Sequence, residues 1–287
     1  MATKVPSRRR KTILWSLAIL LLLYAGLRWF EYTHVYHPSK NFLNAANPPG
    51  HPFQDIYFTS PDGLKLNGWF YSGVTNSSRG QFAVLVSHGN GGNISYLKDL
   101  SGRLLETGAA LLLFDYRGYG RSEGRPGETG TYKDSEAAYQ WLRQAGFAAT
   151  NIFAYGQSLG GGIASELALR EPLGGLVLES TATSIPDMGE LLYPWLPAHL
   201  LSTIKYDTFS RLPKIQIPVL IMHSKGDSLI PYELAERNFA VANEPKLFWK
   251  IRGEHATGDD GCRTGMEKFL TAIENSRTNA SAKLQFQ

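Results

Sequence analysis

From residue 53 onward, short apolar runs alternate with segments whose apolar residues recur at helical spacing. "DIYFTS" and "LNGWFYS" flank Pro61-Asp62-Gly63 and read as a hairpin. "FAVLVSH" (82–88), "AALLLFD" (109–115), "NIFAYG" (151–156), "GGLVLES" (174–180) and "IPVLIMHS" (217–224) are near-continuous apolar stretches, the pattern of strands covered on both faces. "KLFWKIRG" (246–253) adds an eighth strand. Helices are expected over 94–107, 131–146, 159–170, 231–242 and 263–276; in the second, Ala137, Ala138, Trp141 and Leu142 share one face. This alternation predicts an α/β fold: a mostly parallel eight-stranded sheet with helices on both faces and an antiparallel hairpin at one edge. Ligands of such sheets bind beyond the carboxyl ends of the strands, so candidate chemistry is sought there.

The first forty residues follow a different pattern. In "RRRKTILWSLAILLLLYAGLRWF" no charge occurs from Ile13 to Leu27. A helix needs roughly 17–25 apolar residues to cross a bilayer, a length reached once Thr12 and Arg28-Trp29-Phe30 are included. Arg28 can snorkel to the headgroups, and Trp15, Tyr24 and Trp29 are of the interfacial type. A cleaved signal peptide has a similar basic start and apolar core, but "LYA" is a poor cleavage site. The expected organisation is a basic tail (1–11), a transmembrane anchor (12–30), a Pro-containing linker (31–52), a folded α/β domain (53–275) and a polar tail (276–287). With the basic residues ahead of the span, the positive-inside tendency puts the N-terminus in the cytoplasm and the domain on the periplasmic, extracellular or lumenal side.

Charge adds to this picture. The formal net charge is +4, but Lys4, Arg8, Arg9, Arg10 and Lys11 precede any acid, and removing those five leaves the remainder slightly negative. The basic excess belongs to a tail, and no aromatic-basic module for nucleic acid is present. The single cysteine, Cys262, excludes an internal disulfide, and no Cys/His cluster of metal-binding type occurs.

The chemistry centres on Gly156-Gln157-Ser158-Leu159-Gly160. G-x-S-x-G alone is a weak signal; here it follows a predicted strand and opens a predicted helix, where a sharp turn presents a serine oxygen above the sheet. A serine hydroxyl needs a base, and the base needs an acid to fix its tautomer. Asp227 follows the strand "IPVLIMHS", and His255 follows "KLFWKIRG", giving the order Ser, acid, His. Glu179, at its own strand end, is the rival acid. His223 reads as a packing or turn residue, His88 as part of the next motif, His199 as part of an insertion, and Asp207 and Asp259 as surface or cap residues. An oxyanion hole needs two N–H donors, one from Leu159 and one from the loop after the third strand. That loop reads His88-Gly89-Asn90-Gly91-Gly92-Asn93, and Asn90 is the expected second donor. The loop lacks the Lys-Ser/Thr ending of a phosphate-binding P-loop.

Together these motifs resemble the α/β-hydrolase superfamily over nearly all of 53–275. The similarity is greatest to the membrane-anchored α/β-hydrolase-domain group, which carries H-G-N-x-x-N after the third strand and D-Y-R-G-Y-G-x-S after the fourth, here Asp115–Ser122. The resemblance implies a serine hydrolase with Ser158, Asp227 and His255 as triad, Asn90 and Leu159 as oxyanion donors, no cofactor, and Asp115–Ser122 as a structural loop. Relatives in that group include esterases and protein depalmitoylases, with peptidases more distant. An acyl ester or thioester, lipid-like in one version, is the expected substrate. A small-peptide hydrolase and a non-catalytic binding protein on this fold are the alternatives. The apolar, proline-containing stretch at about 181–216 reads as a short cap, either ordinary packing or an acyl-binding or bilayer-facing wall. Sequons at Asn76, Asn93 and Asn279 read as chance matches.

Overall fold

The computed structural model describes residues 7–43, 47, 48, 50–256, 259–278 and 284. Parts of the expected tail, linker and C-terminal segment lie outside the described residues, among them 1–6, 44–46, 49 and the sequon at Asn279. The chain divides into two units, Met1–His37 and Pro38–Gln287.

The first unit holds helix α1 (Ser7–Val35). Its 29 residues extend about 43 Å at 1.5 Å per residue. The most apolar 18-residue window within Arg9–Val35 has a mean hydropathy of 1.8, and among the described residues this is the one helix long and apolar enough to cross a membrane. The helix runs past the expected 12–30 span at both ends, and Arg28 and Glu31 pair at 2.7 Å along one face near its C-terminal end.

The main sheet of the second unit is built from β1 (Gln54–Thr59), β2 (Lys65–Tyr71), β3 (Ala83–Ser87), β4 (Ala110–Phe114), β5 (Ile152–Gln157), β6 (Gly175–Glu179), β7 (Val219–Ser224) and β8 (Lys246–Ile251). They form one sheet in the order β1-β2-β4-β3-β5-β6-β7-β8. β1 and β2 make the expected antiparallel hairpin, with Gly63 at φ +89° in its turn. β2 runs antiparallel to β4, and all remaining pairings are parallel. Every residue of β3 through β7 is buried, which accounts for their unbroken apolar sequences.

Alternate strand residues serve the two faces. Val84, Val86, Leu111, Leu113, Tyr155 and Val177 pack with Leu100 and Leu104 of α2 (Lys98–Leu105) and with Met266, Phe269 and Leu270 of α9 (Gly261–Thr278). The opposite face carries α3 (Glu128–Gln144), α4 (Leu159–Arg170) and α8 (Tyr232–Val241). Chain order reverses across β3: β4 lies on one side and β5 on the other. This is the topological switch point, where the carboxyl ends diverge and leave a crevice.

Between β6 and β7 the chain makes three short helices, α5 (Ile185–Leu192), α6 (Ala198–Leu201) and α7 (Thr208–Arg211). Ser184 caps α5 through the Asp187 amide, and Asp207 caps α7 through the Ser210 amide. The returning segment is fastened to the body where the Glu128 carboxylate accepts from the amides of Lys205 and Tyr206, both at 2.7 Å. Leu191, Leu192, Trp195 and Leu200 project outward; Trp195 is 76% and Leu200 81% exposed.

Candidate active site

Ser158 joins the end of β5 to the start of α4 with φ 54° and ψ −121°. Positive φ at a non-glycine residue is strained, and it persists here because the surroundings are close-packed. The Ser158 amide donates to the Glu179 carbonyl at 2.9 Å, and the Ser158 carbonyl accepts from the Gly161 amide at 3.0 Å. A Cβ on Gly156 would lie 2.5 Å from the Gly160 carbonyl oxygen, and one on Gly160 only 1.9 Å from that of Ser87. The two glycines of G-x-S-x-G are therefore demanded by backbone approach, not merely tolerated.

The Ser158 hydroxyl lies 3.0 Å from His255 Nε2, and His255 Nδ1 lies 2.9 Å from Asp227 Oδ2. With Nδ1–H donating to the carboxylate, Nε2 is left to accept the serine proton. Asp227 Oδ1 accepts from the amides of Leu229 (3.0 Å) and Ile230 (2.8 Å), which fixes the carboxylate plane. Burial pushes the Asp227 carboxyl up. The His255 hydrogen bond and the two amides outweigh it and hold the carboxyl below its ordinary range.

The loop after β3 passes directly over the serine: a Cβ on Gly89 would sit 3.6 Å from Ser158 Cβ. Asn90 follows it. Leu159 opens α4, whose N-terminus carries no side-chain cap, so its first amides remain available at the positive end of the helix. Of the rival residues, Glu179 accepts from Tyr155 Oη (2.5 Å) and Gln157 Nε2 (3.0 Å) and takes no part in the His255 pairing. His223 is buried with Nε2 2.9 Å from the Ile230 carbonyl and 3.4 Å from Asp227 Oδ2. His199 pairs with Asp187 in the cap at 3.1 Å. Asp207 and Asp259 accept from nearby amides, as cap residues do.

Residues 79–206 match the profile of the family described as serine aminopeptidase, S33. The uncharacterized protein Rv2307c of Mycobacterium tuberculosis is 35% identical over 252 residues, 86% of this chain and 89% of its own length. The lysophosphatidylserine lipase ABHD12 of Danio rerio is 31% identical over 57% of this chain and 48% of its own. Among solved structures, the Pyrococcus furiosus esterase Pf2001 superposes with a TM-score of 0.65 at 21% identity, over 83% of this chain and 97% of that one. The chain belongs to the α/β-hydrolase superfamily.

In this α/β hydrolase the loop after β4 does more than turn the chain. Tyr116 Oη donates to the His88 carbonyl at 2.7 Å, and Tyr119 Oη to the Asn90 carbonyl at 2.8 Å. Both tyrosines are fully buried and hold the loop over Ser158 from beneath. Arg117 ties the same segment down through Asp134 (2.8 Å) and Asp62 (2.9 Å). The resemblance implies only a structural loop here. No local sequence signal marks this support, because the tyrosines lie 28 and 29 residues from the carbonyls they hold.

Proposed function

We propose that this chain is a membrane-anchored serine hydrolase that cleaves carboxylic ester or thioester bonds through an acyl-enzyme intermediate. The observation that carries the reading is the hydrogen-bonded series from Ser158 through His255 to Asp227, set on a strained strand-to-helix turn. His255 Nε2 takes the Ser158 proton as the oxygen attacks the acyl carbonyl. The oxyanion is held by the amides of Asn90 and Leu159. His255 returns the proton to the leaving alcohol or thiol, and water then releases the acyl group by the reverse path. Asp227 stays ionised throughout and stabilises the imidazolium.

The acyl group is proposed to be lipid-like. Support comes from the outward Leu191, Leu192, Trp195 and Leu200 of the cap, and from an N-terminal helix of membrane-spanning length. It also comes from similarity to a protein named as a lysophosphatidylserine lipase. The helix is proposed as a single-pass anchor, with the basic end cytoplasmic and the hydrolase domain on the opposite side. The match to a family described as serine aminopeptidase supports a second reading, a peptide hydrolase using the same residues.

A graded series of acyl esters and thioesters, run beside aminoacyl arylamides with wild type and Ser158→Ala in detergent micelles, tests these readings. Serine-dependent turnover rising with chain length is the expected result. Turnover of the arylamides alone favours the peptidase, and identical rates for the two proteins on every substrate contradict both.

A further inference from the structure

The H-G-N-x-x-N loop is gripped from a second side by the segment at residues 39–43. The Ser39 amide donates to the Gly92 carbonyl (2.9 Å), and the Gly120 amide donates to the Ser39 carbonyl (3.0 Å). Asn93 Nδ2 donates to the carbonyls of Ser39 (3.1 Å) and Asn41 (2.8 Å). Lys40 Nζ donates to the Ser122 carbonyl (2.9 Å), and the Leu43 amide to Ser95 Oγ (2.9 Å). The Arg121 guanidinium lies over the Phe42 ring at 4.4 Å. Residues 39–43 therefore bridge the two loops, after β3 and after β4, that frame the nucleophile.

Asn93 is the joint. It is 1% exposed, and its Oδ1 accepts from both the amide (2.9 Å) and the hydroxyl (2.6 Å) of Ser95. Both amide hydrogens and both lone pairs are thus engaged, the full capacity of an asparagine side chain. No other residue type offers two donors to the carbonyls on one side and two acceptor sites to Ser95 on the other, at this length.

We propose that residues 39–43 are a strap that positions the oxyanion loop, with Asn93 as the positioning residue that couples the two. The inference rests on the reading of Asn90 as an oxyanion donor. The loop is clamped at both ends: Tyr116 and Tyr119 hold His88 and Asn90, and the strap holds Gly92 and Asn93. Gly89, Gly91 and Gly92 between them have no side chains to order the backbone. Release of the strap frees the loop at its Gly92 end and lets the Asn90 amide swing from the oxyanion position.

The test uses the full chain in detergent. Asn93→Asp keeps the acceptor that caps Ser95 and sets a carboxylate oxygen against the carbonyls of Ser39 and Asn41, opening the strap. Lys40→Met combined with Leu43→Pro weakens the strap from its own side and leaves the loop sequence untouched. It decides the matter if Asn93→Asp does not fold. Amide hydrogen exchange is expected to rise together over 39–43 and 89–92, by about tenfold or more in the loop. Ester turnover is expected to show kcat lower by about 10- to 100-fold with KM within about threefold, since an oxyanion donor acts on the transition state. Faster exchange at 39–43 with 89–92 unchanged overturns the proposal, as does a released strap with unaltered kcat. A wild type that turns over no ester defeats the hydrolase reading instead, and the exchange measurement alone then decides the strap.

Discussion

Gly160→Ala tests whether the turn at Ser158 is as tightly packed as its geometry implies. The new methyl would lie 1.9 Å from the Ser87 carbonyl oxygen, 2.5 Å from the Ser87 carbonyl carbon and 2.7 Å from the His88 carbonyl oxygen. Ordinary carbon contacts begin near 3.4 Å, so roughly 1.5 Å of displacement has to be found. All three obstacles are backbone. Ser87 ends β3 and pairs with Gly156 of β5 at the centre of the sheet, so the strand does not yield. The first turn of α4 or the 88–90 loop has to move instead, and either motion separates Leu159 from Asn90. A misplacement near 1 Å costs about 100-fold in rate, which sets the expected fall in kcat at about 10²–10³-fold. Overpacking destabilises by about 1–3 kcal/mol, offset by up to about 1 kcal/mol from replacing a helical glycine. For a domain of this size the net effect lowers Tm by a few degrees, about 2–4 °C per kcal/mol. Turnover of a short acyl ester and thermal unfolding measure the two effects. Gly127→Ala is the control, since its methyl meets nothing within 4 Å. A Gly160→Ala protein with kcat within about threefold of wild type and an unchanged Tm refutes the close-approach argument.

Further expectations concern charge and the cap. Burial pushes the Asp115 carboxyl up to about 7 and the His88 imidazole, 3.7 Å away, down to about 4. Because the folded pKa of Asp115 exceeds its unfolded value of 3.8, this group destabilises the fold above pH 7 and relents as pH falls from 7 toward 4. Asp115→Asn is therefore expected to gain stability relative to wild type at pH 8 and not at pH 4, by at most about 4 kcal/mol in urea titrations. Asp227 has the opposite sign: its lowered pKa contributes stability that is present above its unfolded value and lost as pH falls through the folded one. Asp227→Asn should flatten that acid limb and reduce ester turnover by orders of magnitude. Arg117→Met leaves the fully buried Asp134 carboxylate unpaired and should cost about 3–5 kcal/mol by urea unfolding. Trp195→Ser with Leu200→Ser, both on the exposed cap, should depress turnover of long-chain esters and spare short ones. Equal loss across chain lengths would remove the cap from substrate choice.

Legibility divided along a physical line. Strands β3 to β7 were readable because each is buried on both faces and must be apolar throughout. The hydrogen-bonded series Ser158, His255 and Asp227 is legible as a candidate because each of the three follows a strand. Boundaries were less so. α3 begins at Glu128, ahead of the expected 131, because that glutamate faces the returning cap segment and not the sheet. The predicted helix at 94–107 opens as a tight 3₁₀ turn over Ile94–Leu97, set by the Asn93 cap. The partnerships of Asn93 with residues 39–41 and of Arg117 with Asp62 and Asp134 left no periodic trace. They join positions about 17–55 residues apart through single side chains, whereas pattern reading detects faces.

The proposed function requires Ser158 to be an activated nucleophile. Wild type, Ser158→Ala and His255→Ala can each be treated with a fluorophosphonate and mapped by peptide mass spectrometry. One label per chain on the peptide carrying Ser158, absent from Ser158→Ala and greatly slowed in His255→Ala, is the predicted result. A folded wild type that takes no label, or takes it on another serine at the same rate in all three proteins, contradicts the account.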